Sequence, residues 1–343
     1  MSITGRYVGF SLWNGRQYDA YVRDMRAHTT SPLLPFSGGQ ARQDSQSPSM
    51  SRDGRYVAFV SRRGPGGRFD VLVRDRRRGI TRLISRGLRG RPANGSSWDP
   101  GLSANGRYIA FMSYSSNLVK RDANRRHDVY VYDRARRRII WTTARVDIGP
   151  FGRHRPRATG PVMSADGRYV AFRSTYRNLV EGDTNNQFDI FVHDLKEGTT
   201  QRVSVATGGH QVCVPPPKSS QRPCHGDFAL SPDGRFVAFS SVAPDLVHGD
   251  KNQGRDIFVH DTRTQTTIRA SVSASGGEIC GRVSDNCTST SAISTGGRFI
   301  GFNSTDRTIV ARDTNGDPDI FVRGPLQWTQ PVRAQARIDR PGR

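Results

Sequence analysis

The block Gly-Arg-aromatic-(Val/Ile)-(Ala/Gly)-Phe occurs six times, at Gly5, Gly54, Gly106, Gly167, Gly234 and Gly297. Successive copies lie 49, 52, 61, 67 and 63 residues apart. Repeats of this kind are single supersecondary units that bury their apolar faces only by stacking on their neighbours. The turns "SRDG", "SANG", "SADG" and "SPDG" stand before four of the copies. Asp-Gly and Asn-Gly supply the positive φ angles of a tight hairpin. A second apolar run follows each block ("DAYVRD", "DVLVRD", "DVYVYD", "DIFVHD" twice, "DIFVRG"), and several units add a Thr-rich run such as "TTQRVSV" or "TTIRASV". Each unit therefore reads as four short strands. Strand A precedes the turn, B is the "YVAF" run, C the "DIFV" run and D the Thr-rich run. Helical periodicity is almost absent. Four antiparallel strands repeated radially make a β-propeller. The prediction is an all-β, six-bladed β-propeller with four-stranded antiparallel blades.

Blade limits fall near 1–44, 45–94, 95–158, 159–225, 226–288 and 289–335, within one domain over 1–325. Residues 326–343 form a basic tail, part of which supplies strand D of blade 6. Unit 1 is irregular: "MSITGRYVGF" aligns on "LSPDGRFVAF" with Met1 opposite Leu230, so blade 1 is expected to lack its inner strand. Either the natural chain begins upstream of Met1 or blade 1 has three strands. Unit 6 departs from the turn pattern with "STGG".

"LSPDGRFVAFSS" followed by "DIFVHD" resembles the repeat of TolB-type, WD-like bacterial β-propellers. With "NLVxGDxNxxxD" between strands B and C, the pattern is similar to a group of secreted bacterial propeller proteins. The resemblance covers residues 1 to about 325 and is specific for fold rather than function. TolB's separate N-terminal domain has no counterpart in this sequence.

In propellers of this kind the B–C and D–A connections lie at one end of the strands, and the A–B and C–D turns at the other. From the strand-B glycine to the strand-C aspartate the distance is 22 residues in each of blades 3 to 6. Side-chain oxygens recur in this loop at Asp122, Asn124, Asp128; Asp183, Asn185, Asp189; Asp250, Asn252, Asp256; and Asp313, Asn315, Asp319, with Asp317 added in blade 6. Two readings stand. Asp and Asn cap turns through neighbouring backbone amides. Alternating carboxylates and amides also begin a Ca²⁺ shell of six to eight oxygens, and blade 6 is the richest of the four loops. The bidentate Glu of an EF-hand is absent.

Four cysteines pair locally by position, Cys213 with Cys224 and Cys280 with Cys287. Two disulfides are expected, hence an oxidising compartment, secreted, periplasmic or at the cell envelope. Free thiols in a cytosolic protein are the alternative. CxxC spacing is missing, which disfavours zinc. No apolar run reaches the roughly 20 residues of a membrane helix, and no leader stands at Met1.

Net charge is +22, and nearly all of it falls in residues 1–160. The C–D turns "RDRRRG" and "DRARRR" carry Arg76, Arg77, Arg78, Arg136, Arg137 and Arg138, and the blade-3 loop carries Arg125 and Arg126. The corresponding turns of blades 4 and 5, "DLKEGT" and "DTRTQT", are nearly neutral. One side of the disc is thus expected to attract polyanions, unless the arginines form only a solvated face. No nucleic-acid motif is present.

GxSxG, HExxH and Walker patterns are absent. His193 and His260 recur at one strand position, which points to a strand-surface role. The expectation is a monomeric, exported, non-enzymatic module that binds a protein or anionic polymer. It would use the B–C and D–A end together with a basic flank on blades 1 to 3. The alternative is an enzyme acting on an anionic saccharide or ester at the central channel.

Overall fold

Short runs rich in Val, Ile, Tyr and Phe, each closed by a Gly-containing turn, pair most readily with the next run along the chain. The computed structural model describes residues 1–2, 4–34, 44–62, 67–120, 122, 124, 126–143, 157–213, 224–252, 254–273, 275–279, 288–310 and 317–327. Its strands fall into six separate sheets, each an antiparallel meander in chain order. Blade 1 is β1 (Tyr7–Trp13), β2 (Tyr18–Asp24) and β3 (Thr29–Pro32). Blade 2 is β4 (Ser45–Met50), β5 (Tyr56–Arg62), β6 (Phe69–Asp75) and β7 (Ile80–Leu83). Blade 3 is β8 (Ser97–Leu102), β9 (Tyr108–Ser113), β10 (Asp128–Asp133) and β11 (Arg138–Trp141). Blade 4 is β12 (Ala158–Met163), β13 (Tyr169–Ser174), β14 (Asp189–Asp194) and β15 (Thr199–Arg202). Blade 5 is β16 (His225–Leu230), β17 (Phe236–Ser241), β18 (Asp256–Asp261) and β19 (Thr266–Arg269). Blade 6 is β20 (Thr288–Ile293), β21 (Ile300–Ser304) and β22 (Asp319–Arg323).

The chain is thus a six-bladed β-propeller. Among the described residues blades 2 to 5 have four strands and blade 1 has strands B to D, as the alignment of Met1 suggested. Among the described residues blade 6 has strands A to C. The strand expected from the tail falls mostly within 328–343, outside the described residues.

Blades pack by one rule. The aliphatic face of each sheet meets the aromatic face of the next: Ala171, Ile190 and Val192 of blade 4 against Val237, Phe239 and Phe258 of blade 5, for example. Cross-strand aromatic pairs such as Phe172–Phe191 and Phe239–Phe258, with centroids 5.9 Å apart, build the aromatic face. Each fully buried side chain of this kind stabilises by about 1.5–3 kcal/mol. Blade 6 breaks the rule on one side. Ile320 and Val322 are 79% and 74% exposed, while Ile257 and Val259 at the same positions of blade 5 are fully buried. In blade 5 those residues are covered by strand A of the next blade, a strand that blade 1 does not show among the described residues.

The glycine of the repeat is fixed by two demands. Gly234 has φ +74°, and a Cβ there would lie 2.2 Å from Tyr169 Cδ2 of the preceding blade; Gly106, at +68°, would place one 2.6 Å from Tyr56. The Gly and the aromatic of the motif are therefore partners across the five junctions from blades 1 and 2 to blades 5 and 6, while Gly5 has no such neighbour among the described residues.

Candidate anion-binding cleft and the B–C loops

The A–B turns share one hydrogen-bonding scheme. Ser51 Oγ donates to Asp53 Oδ1 at 2.6 Å and accepts the Tyr56 N–H at 3.0 Å; Ser103 with Asn105 and Ser164 with Asp166 repeat it. The next residue, the repeat's arginine, reaches across to the last aspartate of strand C. Arg6–Asp24 (2.9 Å), Arg55–Asp75 (2.8 Å), Arg107–Asp133 (2.9 Å), Arg168–Asp194 (2.6 Å) and Arg235–Asp261 (2.6 Å) form the same clamp. The arginine holds Asp24 and Asp133 down at about 2. Each clamped carboxylate also accepts amides of its C–D turn, as Asp133 does from Ala135 and Arg136. The C–D turns are thereby anchored to the start of strand B in the same blade.

On this shared frame two inter-blade clefts open at the same end of the strands. The cleft between blades 2 and 3 has a volume of about 180 Å³. Tyr56, Val73, Ile80, Ile84 and Tyr132 line it with Asp75 and four arginines, Arg78, Arg82, Arg134 and Arg137. Arg55 already neutralises Asp75, so the lining is strongly positive. The cleft between blades 4 and 5, about 560 Å³, has Thr199, Thr200, Gln201 and Thr262 with two aspartates and two arginines, Asp194, Asp233, Arg235 and Arg263. It is balanced in charge.

The arginines singled out from the sequence divide. Arg78 and Arg137 line the basic cleft, and Arg77, Arg136 and Arg138 are exposed beside it, Arg136 resting 3.4 Å from Asp133. Arg76 serves the junction of blades 1 and 2: its guanidinium stacks 4.2 Å over the Tyr7 ring and donates to the Gly54 carbonyl. Arg126 is half-buried, and Arg125 lies outside the described residues. Sequence reasoning passed over Arg82 and did not single out Arg134 within the run "DRARRR". Arg134 repeats the role of Arg76, 3.6 Å over Tyr56 and bonded to the Gly106 carbonyl. Arg82 pairs with Val73 in register, where blades 3, 4 and 5 have Ile140, Gln201 and Ile268. Aligning the D strands would have exposed it.

At the opposite end, the B–C loops of blades 3 to 5 bury their acids. Asn124, Asn185 and Asn252 accept backbone amides two residues on, from Arg126, Gln187 and Gly254. In blade 4, Arg202 NH1 lies 3.5 Å from Asp183 Oδ1 and 3.8 Å from Asp189 Oδ2. In blade 5, Arg269 NH1 lies 3.4 Å from Asp250 Oδ1, while Asp256 accepts from Ser271 and Asn252. In blade 3, Asp122 is bonded by Tyr130 Oη and Asp128 by Thr143 Oγ1. Burial pushes Asp128, Asp183 and Asp250 up to about 6. In blade 6, Asp313 and Asn315 lie outside the described residues; Asp317 and Asp319 flank the start of β22.

Cys213 and Cys224 form a disulfide; Cys280 and Cys287 lie outside the described residues. His225 Nε2 approaches Cys213 Sγ at 3.4 Å, but the bonded sulfurs offer no thiolate to a metal. His193 and His260 each pair Nδ1 with the strand-D threonine opposite, Thr200 and Thr267, at 2.9 Å. Burial lowers both rings, His260 to about 4. No helix of the described residues is long and apolar enough to cross a membrane.

No family model and no curated protein matches this chain. Solved structures do. The β-propeller domain of the Trilobed protease from Pyrococcus furiosus is 10% identical, with TM-score 0.52, covering 95% of this chain and 81% of that one. A puromycin hydrolase is 12% identical, with TM-score 0.51, over 90% of this chain and 44% of the other. TolB from Acinetobacter baumannii is 15% identical, with TM-score 0.47, over 95% of this chain; the match spans 65% of the TolB chain. At these identities the likeness is one of fold: this chain is built as a β-propeller.

Proposed function

We propose that this chain is a non-enzymatic, exported binding module that holds an anionic polymer along the C–D turns of blades 1 to 3. The observation that carries the reading is the cleft between blades 2 and 3, where four arginines from two blades converge over a tyrosine- and isoleucine-lined floor. Its volume of about 180 Å³ is below the roughly 300–1,000 Å³ of small-molecule pockets. It suits one charged unit of a longer chain better than a complete substrate. The surrounding Arg77, Arg136 and Arg138 extend the positive field to neighbouring units. The disulfide between Cys213 and Cys224 supports export. The basic cleft and the B–C loops stand at opposite ends of the strands, so polymer binding leaves the B–C end free.

The test is binding of fluorescent heparin to the protein and to a triple variant, Arg78→Glu, Arg82→Glu, Arg137→Glu. Arg134 is spared because it packs the blade junction. The variant is expected to bind at least about tenfold more weakly, with a shallower dependence on salt. Unchanged affinity and salt slope would reject the cleft as the binding site.

A further inference from the structure

The B–C loops of blades 3, 4 and 5 have one length and one acid pair, and differ in what neutralises it. Blade 4 uses Arg202, at 3.5 and 3.8 Å from its two carboxylates. Blade 5 uses Arg269, which also bonds Glu278 at 2.8 Å. Both arginines come from one position of strand D, opposite Phe191 and Phe258 of strand C. In blade 3 that register position pairs Tyr130 with Trp141. Trp141 is neutral and spends its N–H on Thr143 Oγ1 at 3.0 Å. The blade-3 acids are deeply buried: Asp128 is fully inaccessible and Asp122 is 7% exposed. Tyr130 and Thr143 satisfy one oxygen of each, while Asp122 Oδ1 and Asp128 Oδ2 have no hydrogen-bond partner among the described residues. A buried carboxylate without a counter-charge is costly, and in the sister loops a strand-D arginine supplies that charge, to both acids in blade 4 and to the first acid in blade 5.

We propose that the blade-3 loop binds one Ca²⁺-class cation between Asp122 and Asp128, in the place that Arg202 and Arg269 fill in the next two blades. The donors are oxygens only, which suits a hard cation, with water and backbone carbonyls completing the shell. Blades 4 and 5 carry their cation covalently and need none from solution. The site is independent of the arginine cleft, being at the other end of the strands.

The experiment is calorimetric titration of the EDTA-treated, dialysed protein with CaCl₂, paired with thermal melts in EDTA and in CaCl₂. One site per chain is expected, with a higher melting midpoint in Ca²⁺ than in EDTA. The variant Trp141→Arg supplies the internal cation of the sister loops. It should lose both the calorimetric heat and the Ca²⁺-dependent shift while melting in EDTA no lower than the parent. Asp128→Asn should also lose the Ca²⁺ heat, and its fold is checked by far-UV circular dichroism. A wild-type protein without Ca²⁺ heat, or a Trp141→Arg variant that keeps full stoichiometry, would overturn the proposal. The latter would place any metal in another loop.

Discussion

The clefts between blades 2 and 3 and between blades 4 and 5 are built from the same parts, yet one is strongly positive and the other balanced in charge. In both, an aromatic of one blade sits on a glycine of the next, Tyr56 on Gly106 and Tyr169 on Gly234. In both, arginine–aspartate clamps fix the turns, Arg107–Asp133 and Arg235–Asp261. Yet one is lined by four arginines and one aspartate and the other by equal numbers of each. The frame tolerates either lining because the residues that differ project from the D strand and the C–D turn. Their backbone hydrogen bonds, such as Arg78 N–H to Asp75 and the ladder pairing of Arg82 with Val73, do not depend on the side chain. Apart from Arg134, which both lines the cleft and packs the junction, stability and binding specificity thus reside in different residues of one repeat.

The largest effect should come from breaking the shared frame. Gly106→Val and Gly234→Val each force a side chain into positive φ and against a packed ring. Each should cost about 3 kcal/mol or more, measured by urea denaturation. The losses should be alike in the two clefts, and a mild effect at one would show that the junctions are not equivalent. A smaller effect should come from moving the lining. Thr199→Arg with Gln201→Arg in the neutral cleft should raise heparin affinity by about tenfold, or ~1.4 kcal/mol. No gain would mean that the spacing of Arg78, Arg82 and Arg137 matters beyond their charge.

The smallest effect is the acid titration of the clamps. Asp24 and Asp133 have folded-state values of about 2, below the 3.8 of a free aspartate, because of Arg6 and Arg107. Their contribution is complete above about pH 4 and is lost as pH falls toward 2. His260, lowered by burial to about 4, and Asp128, raised by burial to about 6, complete most of their linkage above that window. Asp133→Asn should therefore lower the melting midpoint near pH 5 and flatten its fall between pH 4 and 2. A parent protein with no acid fall in that window would show that the clamps contribute nothing to stability.

The number of blades, the strand order and the irregular first blade were legible from the spacing of the Gly-Arg-aromatic block. A period-2 strand pattern and an Asp-Gly turn act over a few residues, and their signals survive in a linear string. The arginine turns were legible for the same reason, as runs. Arg82 was not, since it stands apart from the runs in sequence, and the place of Arg134, inside the run "DRARRR", over Tyr56 emerges only when blade 3 is laid beside blade 2. The B–C loops were seen as one repeated pattern of Asp and Asn. Their divergence was hidden because the residue facing the acids, Arg202, Arg269 or the uncharged Trp141, arrives from strand D, 13 residues beyond the second aspartate of the loop.

By itself, then, the sequence determined the fold and the uneven spread of charge, which depend on local pattern and on composition along the chain. Tertiary structure alone decided which arginines share a cleft, which arginines pack the blade junctions, and which acid pairs hold a cation from their own chain. Those outcomes depend on contacts between strands and between blades, at separations over which a linear pattern carries no distance.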